Sequence, residues 1–377
     1  MLPNANRRGL AALLLTSALL GACSDGSNRA PRAQYDFSAV DASFRQFLDA
    51  TTLEGISYTL VDREQGTVHE GALGDHSLDT VVQLASTSKM PSSSLLMALH
   101  EDPALDYDVE AGIDRYLPWE GVHGNPSSVQ LVSNTSGIPG LSALPGYGPH
   151  LCQFTGNTTL QACGEILYTV PLPGTVPPGT RFDYGGTQWH LAGVVAENVS
   201  NSTWNQAFDA YIGEPCELEV FTYGNQWSNL GDWNGSPDSL SGQANASIEG
   251  GAITNMRDYA KILLLHLRGG RCGDTQVLSP QAVAFMQEDR ASALGGPAYG
   301  MGWWITPAEG DNNALLYDPG AFGAVAWLDV ERGIGGYVAI DDYSMDNAGN
   351  TLRQVLDTVI PLQQQIVDEA RAAVGIE

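Results

Sequence analysis

Lysine is almost missing from this chain: among 377 residues only Lys89 and Lys261 are lysines, and 17 basic side chains against 43 acidic ones leave a net charge of -26. A surface that acidic repels phosphate backbones and anionic headgroups, which excludes nucleic-acid binding and a basic membrane-docking face. Charged residues make up only 16% of the sequence and hydrophobic ones 43%, so disorder driven by excess charge is excluded as well. No H-E-x-x-H and no C-x-x-C occurs, so neither a helical zinc site nor a paired-thiol metal or redox site is expected. A G-x-S-x-G elbow is also missing, which argues against the α/β-hydrolase fold. Metal and cofactor are therefore both expected to be none.

Long apolar runs are missing too. The one at 10–20 is too short to span a bilayer and follows Arg7 and Arg8, the pattern of an export signal. Leu20-Gly21-Ala22-Cys23 resembles the lipobox of bacterial lipoproteins, which implies lipidation of Cys23. The alternative is a plain signal peptide with an incidental cysteine. The expected division is a signal peptide at 1–22, a tether rich in small and polar residues at 23–36, and one domain over 37–377. The protein is thus expected outside the cytoplasm, on the periplasmic side of a bacterial membrane, held there by lipid alone. In an oxidising compartment the other four cysteines are expected to pair, and three pairings are open. Cys152 with Cys163 and Cys216 with Cys272 is favoured, because the first pair brackets one short loop.

Periodicity outlines the fold. Phe44, Phe47 and Leu48 mark a helix over 41–50, and two β-rich runs at 55–61 and 67–73 flank a turn, as in an antiparallel hairpin. Leu95, Leu96 and Leu99 predict a helix over 93–100, just after Ser86. Helices are further expected over 188–198, 255–267, 280–289 and 351–373, and strands over 323–328 and 336–340. The stretch 106–241, rich in Gly, Pro, Asn and Trp, reads as an inserted, mainly helical subdomain. The fold class is α/β of the α+β kind, an antiparallel sheet flanked by helices.

The chemistry starts at Ser86-Thr87-Ser88-Lys89. Residues three apart on a helix share a face, so the Lys89 amine can meet the Ser86 hydroxyl. A serine is a poor nucleophile until a base takes its proton, and a lysine whose pKa burial has lowered can be that base. S-x-x-K is also a motif of serine β-lactamases and penicillin-binding proteins. With the hairpin, 105–106, 113–118, Thr135-Ser136-Gly137-Ile138-Pro139 and Gly250-Gly251, the chain resembles the class C branch of that superfamily, which also holds esterases and D-amino-acid peptidases.

That resemblance implies a β-lactamase/transpeptidase-like fold and further site residues. Tyr184 matches the tyrosine of the family's Tyr-x-Asn motif, and a neighbouring ammonium is expected to draw its pKa towards neutrality. Gly186 stands in place of the asparagine and offers no side-chain amide. Asp318-Pro319-Gly320 best matches the third motif and puts an acid where a base is usual. Asp318 is then expected to repel a substrate carboxylate, while Gly320 allows close approach. The backbone N–H groups of Ser86 and Ala321 are the expected oxyanion hole. His190 reads as structural, and Trp227, Trp233, Trp303 and Trp304 as packing or cleft-lining rings, the last two most of all.

The expected function is a serine hydrolase that cleaves an ester or amide lacking a free carboxylate, with a small molecule or peptide as substrate. The alternatives are a β-lactamase or D-amino-acid peptidase acting on cell-wall peptide, and a non-catalytic penicillin-recognising lipoprotein.

Overall fold

The computed structural model describes residues 34–141, 148–229, 233–310, 313–343 and 351–375. Cys23, the export signal and most of the tether lie outside them. The helices are α1 (Ser38–Ala50), α2 (Lys89–Glu101), α3 (Ser128–Val132), α4 (Leu160–Thr169), α5 (Gly186–Ser200), α6 (Trp204–Phe208), α7 (Gln226–Asn229), α8 (Met256–Leu267), α9 (Pro280–Gln287) and α10 (Thr351–Ala373). The strands are β1 (Gly55–Asp62), β2 (Gly66–Gly74), β3 (Val82–Gln83), β4 (Phe221–Tyr223), β5 (Ala252–Thr254), β6 (Arg271–Cys272), β7 (Thr275–Gln276), β8 (Trp304–Thr306), β9 (Leu315–Pro319), β10 (Val325–Asp329) and β11 (Ile334–Ala339).

The main sheet runs β2-β1-β11-β10-β9-β8 and is antiparallel throughout. Every residue of β1, β10 and β11 is buried, because helices cover both faces of the sheet. On one face Ile56, Tyr58, Val325, Trp327 and Val338 pack with Val40 and Phe44 of α1 and Val359 and Ile366 of α10. On the other, Val61, Leu328 and Tyr337 join α2, α5 and α8 through Leu95, Leu99, Trp189, Val195, Tyr259 and Leu263. The two chain ends thus close one layer, and the catalytic-motif helix lies in the other. A second sheet, β3-β5-β4, braces the approach to Ser86.

Helix starts follow capping chemistry. Thr159, Ser279 and Asn255 accept from the backbone N–H three residues on, and Ser127 and Thr203 form capping boxes with Gln130 and Gln206. α2 begins at Lys89, four residues earlier than the leucine spacing indicates. Its first turns carry Ser92, Ser93 and Ser94, all buried, and Ser92 donates to the Ile248 carbonyl at 2.6 Å. Pro91 is tolerated there because first-turn N–H groups have no partner within the helix.

Both favoured cysteine pairs are disulfides: Cys152–Cys163 ties the 148–154 turn to α4, and Cys216–Cys272 ties the turn after α6 to β6. With partners 11 and 56 positions apart in sequence, chain entropy gives about 3 kcal/mol for the first and about 4 kcal/mol for the second. Replacing Cys216 and Cys272 by serine is therefore expected to cost more in urea denaturation than the same change at Cys152 and Cys163. The reverse order would show that closure of the longer loop is not the controlling effect.

Candidate active site

Ser86 lies on a single 3-10 turn, Ala85–Ser88, that runs straight into α2. Three-residue periodicity stacks position 89 over position 86, and the Lys89 Nζ lies 3.1 Å from the Ser86 Oγ. The turn is strained and clamped. Ala85 has φ of +47°, which costs a non-glycine residue about 1–3 kcal/mol and is sustained only by surrounding structure. That structure is visible: the Thr87 Oγ1 reaches the Asp318 and Ala324 carbonyls at 3.0 and 2.9 Å, Tyr259 donates its hydroxyl proton to the Thr87 carbonyl, and the Ser88 Oγ donates to the Ala85 carbonyl. The Ser86 side chain is thereby presented on a rigid corner.

Lys89 is 2% exposed. Its Nζ donates to the Glu249 carbonyl at 2.7 Å, and it sits 4.8 Å from the Tyr184 ring centre and 5.6 Å from that of Trp189. Two aromatic faces and a carbonyl compensate the amine for lost water. Tyr184 comes from the loop before α5. Asn134, in the segment that also holds Thr135 to Pro139, fixes that helix start by accepting from the Gln188 amide at 2.9 Å and the Trp189 indole at 3.1 Å.

Burial raises the Tyr184 pKa above its ordinary value; Lys89 pulls it down, and Asp318 pushes it further up. The expected pull of the ammonium is present but outweighed, so Tyr184 rests as a neutral phenol.

Asp318 requires a second correction. On β9 it is completely buried, beneath the start of α2 instead of on an open cleft wall, and among the described residues neither carboxyl oxygen has a hydrogen-bond partner of normal geometry. Burial lifts its pKa well above the usual carboxylate range, against the pull of Lys89 and of the Met90 and Lys89 backbone N–H groups. A side chain so buried is not presented to a substrate anion. What remains is the lack of a cation at this position.

Gly320 fits the expected close approach, made here to protein: a Cβ would lie 2.0 Å from the Leu84 carbonyl oxygen and 2.7 Å from the Thr87 Oγ1. The turn beyond it is held by Gly320 N–H to the Ala324 carbonyl and Gly323 N–H to the Gly320 carbonyl. Ala321, half-buried at the tip, makes no backbone hydrogen bond among the described residues.

The four tryptophans part company. Trp303 is fully buried near His266, whereas Trp304 is partly exposed with its ring 5.2 Å from that of Tyr184. Phe182 and Tyr299 flank it at 6.1 and 5.0 Å. Trp233 lines a separate cavity of about 460 Å³ with Leu53, His76 and Tyr343, and Trp227 is 37% exposed. His190 is buried, and burial lowers its pKa to about 4, so it is neutral at physiological pH.

Two residues of this centre carry no catalytic signature in the sequence. Glu249 is 7% exposed, and its carboxyl lies against Gly186. Tyr299 is fully buried in the ring cluster around Tyr184. The neighbouring Gly250-Gly251 marks the Glu249 turn, yet nothing in the spacing connects positions 249 and 186.

A family model described as Beta-lactamase matches residues 40–358. The D-alanyl-D-alanine-carboxypeptidase/endopeptidase AmpH of Escherichia coli strain K12 is 23% identical, the match covering 93% of this chain and 96% of that one. Among solved structures, EstCE1, a hydrolase with promiscuous acyltransferase activity, superposes with a TM-score of 0.66 at 19% identity, covering 85% and 97% of the two chains. The beta-lactamase/D-alanine carboxypeptidase of Yersinia pestis does so with a TM-score of 0.64 at 16% identity, covering 87% and 97%. These structural likenesses bear on the fold, which is that of β-lactamases and transpeptidases.

Asp318 also makes stability depend on pH. Its folded-state pKa exceeds the ordinary 3.8, so its contribution is intact below that value and is lost as pH rises through the raised one. Asp318→Asn removes this loss. Urea midpoints at about pH 5 and about pH 8 are expected to show the variant gaining on the wild type at the higher pH, whereas a variant that loses ground there would mean that Asp318 is buried as an anion.

Proposed function

Because the chain belongs to the Beta-lactamase family, we propose that it is a serine hydrolase that cleaves an ester or amide through an acyl-enzyme on Ser86. The observation that carries this reading is the 3.1 Å contact between the Lys89 Nζ and the Ser86 Oγ, with Tyr184 packed on the same amine. In the proposed sequence the Ser86 proton passes to the Lys89–Tyr184 pair as Oγ attacks the carbonyl carbon, and the pair then returns it to the departing alcohol or amine. Water repeats the exchange on the ester of Ser86 and releases the acid. Backbone N–H groups of Ser86 and Ala321 are assigned to the oxyanion, where such donors stabilise the tetrahedral intermediate.

Substrate preference rests on what surrounds these groups. No basic side chain stands at position 318 to hold a carboxylate, and Trp304 and Phe182 offer a partly exposed aromatic wall beside Tyr184. An ester or amide with an apolar group and no free carboxylate suits that wall. The second reading, a β-lactamase or D-amino-acid peptidase, is favoured by the likeness to AmpH, a D-alanyl-D-alanine-carboxypeptidase/endopeptidase. We further read 106–241 as a subdomain inserted beside the sheet, and the protein as exported and lipidated at Cys23. Two disulfides suit an oxidising compartment, and among the described residues no helix is long and apolar enough to cross a membrane.

A fluorophosphonate probe is expected to label the folded wild type at Ser86 and to leave Ser86→Ala unlabelled. Failure to label would favour a non-catalytic, penicillin-recognising protein. In steady state, p-nitrophenyl esters are expected to turn over faster than a chromogenic cephalosporin, and the opposite ranking would move the assignment to the second reading.

A further inference from the structure

Position 186 opens α5 two residues after Tyr184 and is a glycine, although its backbone does not need one there: no positive φ is found at Gly186. Space explains the choice. A Cβ at 186 would stand 2.7 Å from the Glu249 Oε1 and 3.0 Å from the Gln153 Oε1. The volume that a side chain at 186 would fill is thus occupied by a carboxyl group reaching in from the turn before β5. The same residue gives its backbone carbonyl to the Lys89 Nζ at 2.7 Å. Glu249 therefore meets the catalytic centre twice, at its main chain and at its side chain.

We propose that Glu249 is a positioning residue for Lys89: its side chain, wedged into the space left by Gly186, fixes the peptide whose carbonyl aims the amine at Ser86, and brings a polar group to that end of the site. The inference rests on the hydrolytic reading above and deepens it. Three features support it beyond the contact itself. Glu249 is 7% exposed, and its Oε2 has no hydrogen-bond partner among the described residues, so a costly polar group is retained where an apolar one would pack. Burial raises its pKa, with Lys89 pulling the other way, so the uncharged form of the carboxyl is favoured relative to a carboxyl in water. Gln153, beside it, is itself tied down by bonds to the His150 carbonyl and the Thr187 hydroxyl, so the wedge has firm walls.

A wedge that acts by its size and polarity is replaceable by its amide and not by a methyl group. In the full-length protein Glu249→Ala is expected to lower kcat for a p-nitrophenyl ester at least about tenfold with KM within about twofold, and to slow fluorophosphonate labelling of Ser86 in parallel. Glu249→Gln is expected to stay within about threefold of wild type on both measures, and Gly186→Asn added to Glu249→Ala to recover part of the loss. A folded Glu249→Ala variant with wild-type kcat and labelling rate overturns the proposal, as does Glu249→Gln that is as slow as Glu249→Ala. Should Glu249→Ala fail to fold, Gly186→Ala serves instead: its methyl displaces the carboxyl and is expected to cause the same kcat loss, and unchanged kcat overturns the proposal. Wild-type protein that labels at Ser86 beside an unaffected Glu249→Ala defeats only the positioning role, whereas wild-type protein that does not label defeats the hydrolytic reading itself.

Discussion

A single amine, held 3.1 Å from a hydroxyl and 2.7 Å from a backbone carbonyl, is the contact on which this site depends. Removing an amine from water costs several kcal/mol unless its protons find partners, and the surroundings of Lys89 supply them. The Ser86 turn, the Glu249 carbonyl, and the rings of Tyr184 and Trp189 come from three separate stretches of chain. Two of them are fastened independently: the turn by Thr87 to β9 and the β9–β10 loop, and the start of α5 by Asn134. Lys89 is a hub as well as a chemical group.

The charge around that hub is unusual for so acidic a protein. Asp318 and Glu249 are both buried beside Lys89, and burial favours the uncharged form of each, as it does for the Tyr184 phenol. Lys89 opposes that trend at all three groups. Trp304 and Tyr299 pack against the phenol, and Phe182 packs on Trp304, continuing the aromatic character outward.

The fold was largely readable from pattern, because its long elements repeat their apolar positions cleanly: the 55–73 hairpin, α8, α9 and α10 all appear where the spacing places them. Short pieces escaped. β8, β4 and β5 are three-residue strands, too brief for a period to show, and α3 and α4 owe their starts to capping by Ser127 and Thr159 more than to amphipathic spacing. At the site, Ser86 and Lys89 were visible because their spacing is local and Tyr184 through the family resemblance, and the structure brings them together. Environment was not visible. That Asp318 is buried, that the phenol is raised instead of lowered, and that Glu249 fills the place left at Gly186 are all consequences of chain segments far apart in sequence. Sequence shows which groups are present, while desolvation, set by tertiary packing, decides their protonation.

The central claim is that the Lys89 amine removes the Ser86 proton during acylation. Its most direct test is acid-quenched mass spectrometry of Ser86 after brief mixing with an activated ester, comparing wild type with a folded Lys89→Met variant, which keeps the length of the side chain and loses the amine. The account predicts an acyl group on Ser86 in the wild type and a rate of acylation slower by at least about a hundredfold in the variant. Equal rates in the two proteins would contradict it.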